Sequence, residues 1–133
     1  MTTASARNLF TVTTGSSEPI YRQLVGQVQR LVAGGQLGAG DELPSVRDVA
    51  EQLAVNPMTV SKAYSLLEMS GVLERRRGVG MVIAEAHDKR QPLSERLELL
   101  RPTLERAAKE TAQLEIDPEV ALQQFAKVLK GKR

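Results

Sequence analysis

Residues 43–71 read LPSVRDVAEQLAVNPMTVSKAYSLLEMSG, and two helix starts follow each other closely within them. Ser45 with Asp48 three residues on makes a Ser-x-x-Asp cap, in which side chains take up N–H groups that have no partner inside the helix. Behind it Val46, Val49, Ala50 and Leu53 share one face, which predicts a short helix ending near Ala54. Asn56-Pro57 opens the next helix, Asn as the cap and Pro in the first turn. Val60, Ala63, Tyr64 and Leu67 point inward there, and Ser61, Lys62, Ser65 and Glu68 outward. Gly71 stops the helix after Ser70. Two short helices joined by a tight turn form a helix-turn-helix, whose second helix can lie in the major groove of DNA.

The flanking segments complete the unit. Downstream, Val72 to Arg75 and Met81 to Ala84 are β-prone runs separated by Arg76-Arg77-Gly78-Val79-Gly80, which predicts a hairpin with a basic, glycine-bearing turn. Upstream, Pro19 signals the first position of a helix whose buried face is Ile20, Leu24, Val28, Leu31 and Val32, with Gly34-Gly35 as its stop. Leu37 to Asp41 is turn chemistry, and Glu42-Leu43 is a very short extended piece before Pro44. Residues 1–17, rich in Thr, Ser and Ala without periodicity, are expected to be a flexible arm.

After the hairpin the pattern changes. Ala86 to Gln91 is a polar linker. Leu93, Leu97, Leu100, Leu104, Ala107, Thr111 and Leu114 then recur at alternating spacings of four and three, a heptad-like seam. Pro102 should kink this helix or split it, because Pro lacks one ladder donor. Asp117-Pro118 opens a last helix with the stripe Leu122, Phe125 and Leu129. The seam could pack on its own domain or on a second chain. So small a domain offers limited surface to cover a long stripe, which favours dimerisation through Leu93, Leu97, Leu100, Leu104, Leu114, Leu122 and Phe125. The expected fold class is mainly α with a small β-wing. It divides into an arm over 1–17, a winged helix-turn-helix over 18–85, and a two-helix dimerisation tail over 86–133.

Composition removes most other readings. The 133 residues include no cysteine, so neither a disulfide nor a thiolate metal site is available. His87, the single histidine, lies in the linker and is expected to be solvated. No metal and no cofactor are expected, and neither an activated Ser, Cys or Lys nucleophile nor a Walker-type loop is signalled. Gly78-Val79-Gly80 lacks the third glycine and the following helix of a dinucleotide fingerprint, so the chain does not read as an enzyme. The N-terminus does not read as a signal peptide and no apolar run is long enough to span a bilayer, so a cytoplasmic protein is expected. Net charge is +2, and residues 1–87 carry eight basic and eight acidic side chains. A nucleic-acid footprint there must be local.

The local footprint has candidates. Asn56, Met58, Thr59, Ser61 and Lys62 occupy the first turns of the second helix, where base edges and phosphates are met. Ser45 and Asn56 are caps first, with phosphate contact an added role. Arg75, Arg76 and Arg77 sit on the hairpin, whose glycines allow backbone to approach a phosphate or minor groove closely.

The stretch from Pro19 to Ala84 resembles the GntR family of winged-helix regulators. The residues that carry the likeness are Pro-Ile-Tyr-Arg-Gln-Leu at 19–24, Gly-Asp-Glu-Leu-Pro-Ser-Val-Arg-Asp-Val-Ala at 40–50, Val-Asn-Pro-Met-Thr-Val-Ser-Lys-Ala-Tyr at 55–64, Leu-Glu at 67–68 and Arg-Gly-Val-Gly at 77–80. The resemblance implies that Arg47 touches DNA. It also implies that Asn56, Pro57, Thr59, Ser61 and Lys62 read bases and phosphates, and that Gly78 and Gly80 form the wing tip. Val79 and Met81 depart from the basic residue and threonine that many relatives carry there. Taken alone, Arg47 could as well pair with Asp48 or Glu51. The short tail resembles that of the YtrA subfamily, which implies a dimer and control of a transporter operon, often including the regulator's own gene; two recognition helices in successive major grooves would then make the operator a pseudo-palindrome. The expected function is sequence-specific regulation of transcription, with repression as the mode. Whether a small-molecule effector binds stays open. The alternative is a winged-helix module that docks another protein without binding DNA, favoured by the neutral charge of residues 1–87.

Overall fold

The computed structural model describes residues 9–87 and 90–131 and divides the chain into two units, 1–92 and 93–133. In the first unit the structure describes the helices α1 (Ile20–Ala33), α2 (Val46–Leu53) and α3 (Pro57–Met69). A hairpin of β1 (Leu73–Arg76) and β2 (Gly80–Ile83) follows, then a 3-10 turn over Glu85–His87.

Each helix begins where local chemistry provides for it. Pro19 precedes α1 as its cap residue instead of standing inside it, and the Gly34 amide closes the other end on the Arg30 carbonyl at 2.9 Å. The Ser45 hydroxyl accepts from the Asp48 amide at 3.0 Å, and the Asn56 carboxamide accepts from the Met58 amide at 2.8 Å. Ala54 takes the left-handed conformation, φ +57°, that turns the chain from α2 into α3. The Val55 amide returns to the Ala50 carbonyl at 3.0 Å.

The core is aliphatic apart from Phe10 and Tyr64. Leu24, Val28, Val49, Val60, Leu67 and Ile83 are fully buried in it. Strands β1 and β2 pair antiparallel, Leu73 opposite Ile83 and Arg76 opposite Gly80. The short extended piece expected at Glu42-Leu43 lies along the free edge of β2: Glu42 bridges Val82, and the Leu43 amide reaches the Met81 carbonyl at 2.9 Å. β2 is therefore bonded on both sides.

In the first unit the expectations for the arm and for His87 need correction. The part of the arm that the structure describes is docked, not flexible. Phe10 is 1% exposed, and Thr11 and Thr13 pair through their backbone with Gln27 and Gln23 of α1. A glutamine amide has the donor and acceptor of a peptide group, so two glutamines one turn apart hold the arm as a neighbouring strand would. Residues 1–8, the rest of that arm, lie outside the described residues. His87 is half-buried rather than solvated, its Nε2 3.3 Å from the Gly71 carbonyl. The linker is not wholly free either: the Gln91 amide bonds the Ala33 carbonyl at 2.9 Å.

The second unit consists of α4 (Leu93–Gln113) and α5 (Pro118–Gly131). α4 continues through Pro102 as one helix, so of the kink or break expected there the break does not occur. The carbonyl of Glu98, which loses its donor, lies on an exposed stretch where solvent can bond it. α4 ends at Gln113, so Leu114, expected as the last residue of the seam, falls in the connection. There Glu115 has φ +56° and the Ile116 amide bonds the Thr111 carbonyl at 3.1 Å. No described residue of α4 or α5 is buried, and the leucines of the seam, with Leu122 and Phe125, are all exposed in the single chain.

Candidate nucleic-acid interface

Helix α3 presents two different faces. Val60, Ala63, Tyr64 and Leu67 are buried, while Met58, Ser61, Lys62, Ser65 and Met69 form an exposed stripe at helical spacing. The buried face is fixed by Tyr64, whose hydroxyl donates to the Pro44 carbonyl at 2.7 Å. Burial pushes this phenol well above the ordinary tyrosine value, so it stays a donor at any physiological pH.

At the start of α3 the caps are already engaged. The Asn56 Oδ1 is taken by the Met58 amide, and the Thr59 amide returns to the Asn56 carbonyl at 2.9 Å. Pro57 is exposed and has no amide hydrogen, and Thr59 is half-buried. At the start of α2 the Ser45 hydroxyl serves Asp48, and Val46 and Arg47 offer amides with no acceptor among the described residues. The amide donors open to a phosphate therefore stand at α2 more than at α3. Arg47 is exposed and pairs with neither Asp48 nor Glu51 among the described residues.

Lys62 is not a free surface lysine. Its Nζ stands 4.1 Å from the centre of the Tyr21 ring, and the Arg22 guanidinium stands 5.7 Å from the same ring. Tyr21 thus gathers two cations at the meeting of α1 and α3. Sequence reasoning missed Tyr21 and Arg22. The signal was a tyrosine beside an arginine at the polar start of a helix, in a chain with only four aromatic residues.

The wing arginines do not act as one cluster. Strand alternation sends Arg75 and Arg76 to opposite faces. Arg75 lies 3.7 Å from Glu68 of α3, and Arg76 lies 2.7 Å from Glu74 on its own strand. Arg77, at the turn, has no ion pair among the described residues. Gly78 (φ +78°) and Gly80 (φ +119°) carry the left-handed backbone of the turn, with open space around both. Val79 between them is exposed. The described residues contain no group of side chains suited to a metal ion and no helix long and apolar enough to cross a membrane.

Comparison with known proteins agrees with this geometry. Residues 20–83 match the family described as "Bacterial regulatory proteins, gntR family". The chain is 49% identical over 70 residues to the HTH-type transcriptional repressor YtrA of Bacillus subtilis (strain 168), covering 53% of this chain and 54% of that protein. It therefore spans about half the length of that relative. It is 39% identical over 108 residues to the uncharacterized HTH-type transcriptional regulator YhcF of the same organism, covering 81% of this chain and 88% of that one. Among solved structures, YtrA from Sulfolobus acidocaldarius, a GntR-family transcription factor, superposes with a TM-score of 0.53 at 31% identity, over 77% of this chain and 99% of that one. The chain belongs to the GntR family of bacterial regulatory proteins, in its YtrA-like branch, and is a DNA-binding transcription regulator rather than an enzyme.

Proposed function

We propose that the chain acts as a homodimeric repressor whose two α3 helices enter successive major grooves of a pseudo-palindromic operator. The observation that carries this reading is the exposed stripe of α3, together with Arg47 of α2 and Arg77 of the wing turn, two exposed arginines with no acidic partner among the described residues. Arg47, Asn56, Thr59, Ser61 and Lys62 face bases and backbone, with Ser45 and Pro57 at the helix starts. Arg75, Arg76 and Arg77 with Gly78 and Gly80 meet the strand beside the groove. The tail joins the two copies. Leu97, Leu104 and Ala108 line an open apolar groove along α4, and a second copy of the seam covers it by heptad packing. Two-fold symmetry then sets half-sites about one helical turn apart.

The test is selection of duplexes by the purified chain from a random pool, followed by gel shifts on the selected sequence. An inverted repeat is expected. Arg47→Ala and Lys62→Ala should each weaken binding about tenfold. Operator binding like wild type by both variants would show that a different face meets DNA. No binding to any duplex at low salt would leave the protein-docking module, which the carboxylate partners of Arg75 and Arg76 favour.

A further inference from the structure

Apart from Lys62, the exposed stripe of α3 lacks the side chains that most often read bases. Guanine is read by a bidentate Arg or Lys, and adenine by an Asn or Gln that offers a donor and an acceptor together. α3 contains no Arg and no Gln. The Asn56 carboxamide is held at the helix start by the Met58 amide, and the ammonium of Lys62 rests on Tyr21. What the first turn holds out instead is Met58, 76% exposed at the leading end of the stripe. A methionine so placed gains nothing from water and has no hydrogen bond to offer a base. The one apolar feature of the major-groove edge is the 5-methyl group of thymine, and an unbranched thioether can adapt its shape to it.

We infer that Met58 is a specificity-determining residue that packs on a thymine methyl in each half-site, so that α3 selects thymine by apolar contact. Guanine recognition then falls to Arg47 on α2. This rests on the DNA-reading role proposed above. The experiment takes the operator selected by the full chain and replaces each thymine in turn by deoxyuridine, which removes only the methyl. One position per half-site should weaken wild-type binding about fourfold, the worth of one buried methyl group. Met58→Ala should bind the thymine and deoxyuridine duplexes equally at that position, and Met58→Leu should restore the difference. The side chain is exposed, so these variants keep the fold. Wild type indifferent to every replacement, or Met58→Ala as sensitive as wild type at every position, overturns the inference alone. Failure to select any duplex overturns the DNA-reading role along with it.

Discussion

The Tyr64 hydroxyl and the Pro44 carbonyl meet at 2.7 Å, which ties the middle of α3 to the residue that precedes the cap of α2. The bond is buried and joins the two helices of the helix-turn-helix across twenty residues of sequence. Tyr64→Phe should cost about 1–2 kcal/mol at neutral pH, because the Pro44 carbonyl is left buried without a donor. The folded-state value of the phenol is raised, so its contribution is complete below the unfolded tyrosine value of about 10 and declines as pH climbs beyond it. Urea unfolding of wild type and Tyr64→Phe at neutral and strongly alkaline pH should show the gap between them narrowing. A constant gap would mean that the proton on Tyr64 is not linked to folding.

The wing holds back part of its own charge. Arg76 is paired with Glu74 at 2.7 Å, an exposed contact of about 0–1 kcal/mol. Glu74→Gln should tighten binding to all duplexes by up to about fivefold at low salt. It should also steepen the salt dependence by about one phosphate contact. Titrations at several salt concentrations check both, and an unchanged slope would place Arg76 away from the strand.

The docked arm is part of the core. Phe10→Ala should destabilise the first unit by about 3–5 kcal/mol. Gln23→Ala, which removes the bonds to Thr13 and Glu18, should cost about 1–3 kcal/mol. Amide exchange at Thr13 should accelerate in the Gln23 variant, while exchange within α3 follows only the global loss. If Thr13 exchanges freely in wild type, the arm is not held as described.

The proposed dimer puts its contact in the tail. Leu97→Glu with Leu104→Glu places like charges where two seams would meet. Sedimentation should show the mass of one chain in place of two. Operator affinity should fall while unfolding of the first unit is unchanged. Retention of the dimer would move the contact to α5, where Phe125 and Val128 are also exposed.

The helices and the wing could be read from the sequence because their signals are local. Ser45, Asn56-Pro57 and Gly71 each act within a few residues of themselves, and the apolar spacing between them admits one face only. What could not be read depends on long separations or on side chains choosing one partner among several. The bonds from Gln23 and Gln27 to the arm cross ten and sixteen residues and leave no periodic trace. Lys62 belongs to the outward stripe by spacing alone, and only the packing of α1 on α3 brings Tyr21 beneath it. The run Arg75 to Arg77 reads as one basic patch until the pleat divides it and Glu68 and Glu74 take two of its members. Pro102 reads as a kink or a break because its cost inside a helix is real, yet the helix runs on unbroken where solvent can satisfy the orphaned carbonyl.

Residues 41–44 are gripped from two directions, by β2 along Asp41 to Leu43 and by Tyr64 at Pro44. Helix α3 and the wing thus hang from one shared bracket, and the gap between them is set when the chain folds. The entropy of arranging them is spent before any duplex arrives. In the proposed complex a groove of the wrong width would meet two elements whose spacing folding has already fixed, so that duplex shape would be selected along with sequence.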